Sequence, residues 1–176
     1  MNEAAAPIET THPEVRVFLG LGSNIQAEQN LPRAVSLLKQ LVQIDAISTA
    51  WHTPSVGAPG PDFLNAAVLI QTSLSSQDLK KHVIRKIEAQ LGRKRTADKN
   101  APRTIDIDIL IFDNQVVEPE IWDRAFLAVP LSELAPGLCN PDSGESLQRA
   151  AERLSQKTRI KARPEILPGT QGGKHS

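Results

Sequence analysis

The chain has no tyrosine, one cysteine, two tryptophans and four phenylalanines. The single thiol, Cys139, excludes an intrachain disulfide and any multi-cysteine metal centre. Aromatics make up 3% of the 176 residues, too few for the stacking surface on which nucleic-acid bases are read. An excess of either charge is also missing: 20 Lys and Arg balance 20 Asp and Glu. A general phosphate-backbone coat is thereby excluded, and any anion site must be a local cluster. No uninterrupted apolar run approaches the length of a bilayer span. The opening Met1-Asn-Glu-Ala-Ala-Ala6 lacks the basic and apolar regions of a signal peptide. The expectations are a reduced, cytoplasmic compartment, no nucleic-acid or membrane partner, and a monomer.

What remains is one domain's worth of chain. Residues 1–13 and 161–176 are small, polar and unpatterned, and read as mostly disordered tails around a single domain at 14–160. Val15 to Gly22 reads as a buried strand. Leu31, Ala34, Val35, Leu38, Leu41 and Val42 follow helical spacing, with Pro32 suited to the first turn. Ile44 to Ala50 suits a second strand, His52 to Asp62 a Pro/Gly-rich loop, and Phe63 to Gln71 a third strand. Ser75 or Ser76 can cap a helix that carries Leu79, Val83, Ile87 and Leu91 on one face and ends at Gly92. Thr104 to Phe112 is a fourth strand, Leu131 to Pro136 a short packing helix, and Leu147, Ala150, Ala151 and Leu154 mark a late helix. The order βαββαβ predicts an α+β, ferredoxin-like sandwich, with an antiparallel sheet, helices on one face and the other face free for a site. Fold alone decides no function.

The chemistry concentrates in Ala101 to Phe112. Ile105, Ile107 and Ile109 alternate with Asp106 and Asp108, so a strand presents both carboxylates on one face. Asp is a poor strand former and like charges repel, so the pattern breaks a local rule, as functional sites do. Roughly 6–7 Å between the two Cβ atoms lets the carboxylates converge on one hard cation or a pair of them. A solvated strand face with two surface acids is the bland reading. The preceding loop weighs against it: Arg93, Lys94, Arg95, Lys99 and Arg103 face a single acid, Asp98. Guanidinium groups grip phosphate oxygens bidentately, so cations for a polyphosphate lead straight into acids for its Mg²⁺. A second constellation suits a flat heterocycle. Phe63 offers a stacking plane and Asn65, two residues on, a donor and an acceptor. Thr53-Pro54 and Val56-Gly57 can add backbone groups and an apolar wall.

Four blocks in order are similar to the 6-hydroxymethyl-7,8-dihydropterin pyrophosphokinase family of folate biosynthesis. They are Leu19-Gly-Leu-Gly-Ser-Asn24, Thr53-Pro54 with Pro61-Asp-Phe-Leu-Asn-Ala-Ala67, Glu88 to Arg95, and Pro102-Arg-Thr-Ile-Asp-Ile-Asp-Ile-Leu110. The resemblance spans roughly Val15 to Asp142 and implies transfer of pyrophosphate from MgATP to a hydroxymethyl pterin, with release of AMP. It implies that Asp106 and Asp108 bind two Mg²⁺ ions, that Arg93 and Arg103 are catalytic, and that Glu88, Arg95, Ile109 and Arg124 contact ATP. Asn24, Thr53, Pro54, Val56, Phe63, Asn65 and Phe126 would form the pterin pocket, and the basic loop a mobile lid. The family's Pro-His loop after the twin-Asp strand is missing here: Gln115 runs straight to Phe126, and no histidine lies between His82 and His175. A low-activity or silent pterin-binding homologue, or a kinase for a related pterin alcohol, is therefore the alternative.

Overall fold

The computed structural model describes residues 12–57 and 59–168. The expected tail at 1–13 and the end of that at 161–176 therefore fall largely outside the described residues. The elements are β1 (Val15–Ser23), α1 (Ala27–Leu41), β2 (Gln43–Ile47), β3 (Ala50–Thr53), β4 (Phe63–Thr72), α2 (Ser76–Leu79), a π-helical turn (Lys80–Ile84), α3 (Arg85–Gln90), β5 (Asp106–Phe112), β6 (Gln115–Val116), a 3-10 turn (Pro119–Trp122), α4 (Ala125–Leu134), α5 (Leu147–Lys157) and β7 (Lys161–Arg163). The sheet order is β6-β5-β1-β4-β3-β7, every pairing is antiparallel, and β2 also pairs with β4. This is the expected ferredoxin-like arrangement.

Alternation along three central strands decides which face each residue serves. Val17, Leu19, Leu21, Val68, Ile70, Ile107 and Ile109 join one cluster with α1, α2 and α3. Four-residue spacing of Leu79, Val83, Ile87 and Leu91 drifts on a helix of 3.6 residues per turn; the wider turn at Lys80–Ile84 compensates, and all four stay buried. Ser75 Oγ accepts from Asp78 N at 3.1 Å, and Gly92 leaves the helix at φ 77°.

The opposite face is not wholly free, as the sequence suggested. Phe18, Ala67, Leu69, Leu110 and Ile111 pack there under Ile121, Trp122, Leu131, Leu147 and Ala150, so α4 and α5 form an additional layer over half of that face. The same strands then change character. Gly20, Gly22, Phe63, Asn65, Asp106 and Asp108 continue this face beyond the helices and line a pocket. A bulge in β5 opposite Phe18/Leu19 marks the change, as bulges near sites often do.

Three boundaries differ from the expectation. The second strand is two strands, because Ser48 turns inward: its Oγ accepts from Ala67 N at 2.8 Å and donates to Thr49 O. The chain then resumes as β3 through Thr53, inside the stretch expected to be loop. Helix α1 begins at Ala27, so Pro32 lies beyond the first turn. The C-terminal segment expected to be disordered from residue 161 instead starts as β7, which pairs with β3, and Ile166 and Leu167 enter the main core.

Candidate functional site

The pocket has a volume of about 310 Å³ and lies on the uncovered half of the sheet. Register fixes its floor. Gly22 pairs with Asn65 of β4 on one side and Asp106 of β5 on the other. Gly20 likewise stands between Ala67 and Asp108. Two glycines thus leave the central strand bare between an amide and a pair of carboxylates.

The ring-binding candidates gather at one end. Thr53, Pro54, Val56, Phe63, Asn65 and Phe126 all line the pocket. Asn65 is buried, and its Nδ2 donates to Thr53 Oγ1 at 2.6 Å. That bond holds the amide in one orientation. Phe63 comes from β4 and Phe126 from α4, so two rings approach the pocket from separate elements. Asn24 does not line it. Its Oδ1 accepts from Arg103 N at 2.7 Å and its Nδ2 donates to Pro61 O at 3.4 Å. The side chain ties the β3–β4 loop to the base of the basic loop, so it supports the pocket from behind. The two loops also meet at the mouth, where a Cβ on Gly57 would lie 3.5 Å from Asn100 Oδ1.

At the other end Asp106, Asp108, Lys99, Arg103 and Arg124 line the pocket. Both oxygens of Asp106 are engaged by guanidinium groups: Oδ1 accepts from Arg93 Nη1, and Oδ2 from Arg103 Nη1 at 2.9 Å. Arg103 also donates through Nη2 to Lys99 O. Asp108 opens onto the pocket's solvent, yet its carboxyl is pushed up to about 6. Restricted hydration inside the pocket is the first cause. Asp106, Glu88 and Glu118 add repulsion, and Arg93 opposes them. Two oxygen-donor groups, one of them repelled by its neighbours, fit a hard divalent cation. Among the described residues no third His, Cys, Asp or Glu completes a protein-only metal cluster, so water or phosphate would supply the other ligands.

Glu88, Arg93, Arg95 and Ile109 do not line the pocket. Glu88 lies behind it with 5% of its side chain exposed, 3.0 Å from Arg93 Nη1 and 3.2 Å from Arg95 Nη2. Burial raises its pKa, while the two arginines pull it down. Arg93 is itself 10% exposed, donates to Ile105 O at 3.2 Å, and leaves its buried Nε without a partner among the described residues. Glu88 therefore aims Arg93 at Asp106. Ile109 packs its side chain into the core on the far face.

Residues after β5 correct one expectation. The segment is not a straight run without a loop. Asp113 and Asn114, both at positive φ, turn the chain into β6, and the 3-10 turn then brings Glu118 and Glu120 to the pocket with Arg124. What is absent is a histidine; carboxylates stand there instead, and Glu120 Oε1 lies 3.5 Å from Arg124 Nη2. Sequence reading missed Gly20, Gly22, Glu118 and Glu120 as lining residues. Acids in a turn look solvated, although the Glu118-Pro-Glu120 pair so close to the twin-Asp strand was a usable signal. The glycines were a signal only beside the register that sets them opposite Asn65 and the acids.

Residues 18–136 match the family model described as 7,8-dihydro-6-hydroxymethylpterin-pyrophosphokinase. Curated proteins named 2-amino-4-hydroxy-6-hydroxymethyldihydropteridine pyrophosphokinase are also similar. The protein from Methylorubrum extorquens is 39% identical over 79% of this chain and 93% of its own. The one from Synechocystis sp. is 31% identical over 77% of this chain and 74% of its own, and the one from Bacillus subtilis 37% over 66% and 76%. Among solved structures, the HPPK-DHPS of Plasmodium falciparum superposes with a TM-score of 0.66 at 12% identity, a likeness of fold. It covers 84% of this chain and 46% of that longer one, so this chain spans less than half its length.

Proposed function

Because this chain belongs to the 7,8-dihydro-6-hydroxymethylpterin-pyrophosphokinase family, we propose that its pocket performs the family's reaction, pyrophosphate transfer from ATP to a hydroxymethyl pterin in folate biosynthesis, with release of AMP. The observation that carries this reading is the row Asn65–Gly22–Asp106 across three adjacent strands. It sets an amide and a carboxylate on either side of a bare strand in one pocket, which supports an edge-reader for the heterocycle on one side and a metal-binding acid on the other. The pterin hydroxymethyl group is then directed toward the phosphate end.

Asn65 reads the edge of the ring, with Thr53 fixing the amide. Phe63 and Phe126 exclude water from its faces. Asp106 and Asp108 are the residues that would hold Mg²⁺, two ions in this proposal; the metal supplies charge neutralisation to the triphosphate and its developing transition state. Arg103 stabilises the transferring phosphoryl oxygens, and Lys99 and Arg124 add charge along the nucleotide; Arg93 and Arg95, held outside the pocket by Asp106 and Glu88, join them only on exchanging those carboxylates for phosphate. The hydroxymethyl oxygen forms a bond to the β-phosphorus as the bond to the α-phosphate oxygen breaks. Holding those atoms in line is what the pocket contributes. No helix among the described residues is long and apolar enough to cross a membrane. A cytoplasmic monomer without nucleic-acid partners completes the proposal.

The test is AMP release from MgATP and 6-hydroxymethyl-7,8-dihydropterin, with Asp106→Ala plus Asp108→Ala as control. AMP that forms only with the pterin and disappears in the control supports the reading. Saturable pterin binding without AMP would replace it with a silent binding homologue or a different pterin alcohol, and the carboxylates at 118 and 120 would be the first suspects.

A further inference from the structure

We propose that Gly22 is a positioning residue for the heterocycle: its missing side chain lets the Asn65 amide lie across β1 and keeps that amide's recognition edge in the pocket. The inference rests on the pterin reading above and deepens it.

Gly22 has no conformational need to be glycine. It sits near the end of the β1 ladders, paired with Asn65 of β4 and Asp106 of β5, and only Gly57, Gly92 and Gly144 among the described glycines take positive φ. The need is space. A Cβ built on Gly22 would stand 2.7 Å from Asn65 Oδ1, well inside van der Waals contact, and 3.7 Å from Phe63 Cδ1. Asn65 cannot simply withdraw. Its Nδ2 is bonded to Thr53 Oγ1, and both residues are buried. Rotating the amide off β1 would break that bond and leave a buried hydroxyl and amide mismatched.

The same bare strand makes room for the ring. Asn65 and Asp106 flank Gly22 on adjacent strands, two strand spacings or about 10 Å apart. A flat ring read by Asn65 must lie over Gly22 to bring its substituent to the acids. Gly20, one step along, differs. Its Cβ would meet the Leu110 side-chain carbons at 3.1–3.4 Å, so its constraint comes from packing. Gly22 alone faces the recognition amide.

The experiment combines Gly22→Ala, Asn65→Ala and the double variant. Calorimetry with 6-hydroxymethylpterin and a non-hydrolysable ATP analogue gives affinities, and ¹⁵N NMR follows the Asn65 side-chain amide. The proposal expects Gly22→Ala to weaken the pterin about tenfold, the worth of one oriented hydrogen bond, and the nucleotide less than twofold. It expects the Asn65 amide signals to move. In the Asn65→Ala background, Gly22→Ala should cost clearly less than in the wild type, because the part lost through the Asn65 contact is already gone. Unchanged pterin affinity in Gly22→Ala, or an equal loss with and without the Asn65 side chain, overturns the proposal. If Gly22→Ala folds poorly, the double variant decides. Restored folding supports a clash with Asn65, and continued unfolding overturns it. A wild-type protein that binds no pterin would sink the functional reading instead. The NMR comparison would still judge Gly22, with unmoved Asn65 signals as the contrary result.

Discussion

Asp108 shows how a site residue can oppose the fold that carries it. Its carboxyl ordinarily titrates near 3.8 and is pushed up to about 6 here. Between those values the folded chain keeps a proton that the unfolded chain has released, so the group's contribution to stability falls as pH rises through the window. Asp108→Asn removes that penalty. Its melting temperature should exceed the wild type's at about pH 7.5, and the gap should close near pH 4. Turnover in the AMP assay should fall by about 10²-fold in the same variant. Higher activity with lower stability would reverse the assignment. Glu88 is raised in the same direction by its burial, but it also stands between two guanidiniums that its loss would leave short of a counterion. Glu88→Gln leaves Arg93 with Asp106 but without its second counterion. A urea titration should show a loss of about 2 kcal/mol.

At the scale of elements, the site depends on two loops joined by one amide. Asn24 accepts from Arg103 N and donates to Pro61 O, while Asn24 N and Ile25 N both donate to Arg103 O. Asn24→Ala should loosen both loops together. The expected result is a several-fold rise in KM for both substrates and faster tryptic cleavage at the exposed Lys94 and Arg95, with stability reduced by about 1–2 kcal/mol. A rise in one KM alone would mean that the loops are independent. These elements also show what sequence could and could not reveal. Asp106-Ile-Asp108 was legible because a period of two places acids and isoleucines on opposite faces without further information. Helices α1 and α3 were legible from their apolar stripes. The Ser48 break was not, because a serine that bonds across to Ala67 resembles any other mid-strand serine. Nor was β7, whose three residues carry two charges and which, among the described residues, pairs only with the short β3. The half-covered face was illegible for a related reason. Alternation identifies two faces, but it does not say which helix covers which length of them.

For the whole molecule, the last described residues belong to the fold. Ile166 and Leu167 are buried in the main core, and Arg163 pairs with Glu28 of α1 at 2.9 Å. Truncation after Ile160 should cost about 4 kcal/mol, from two large apolar side chains exposed. A urea midpoint close to wild type would show that β7 and its neighbours only lie against the domain.

The grip of Arg93 and Arg103 on Asp106 has a last consequence, in the ionic-strength dependence of binding. A polyphosphate that draws those guanidiniums away does not simply add ion pairs to the protein. Under the proposed function it would exchange carboxylate partners for phosphate partners, and its accompanying cation would take over the carboxylate. Charges already matched within the chain are re-matched with the ligand, and few counterions are released. The slope of log K for MgATP against log salt should therefore be shallower than the four cations lining or flanking the acids would suggest: Arg93, Lys99, Arg103 and Arg124.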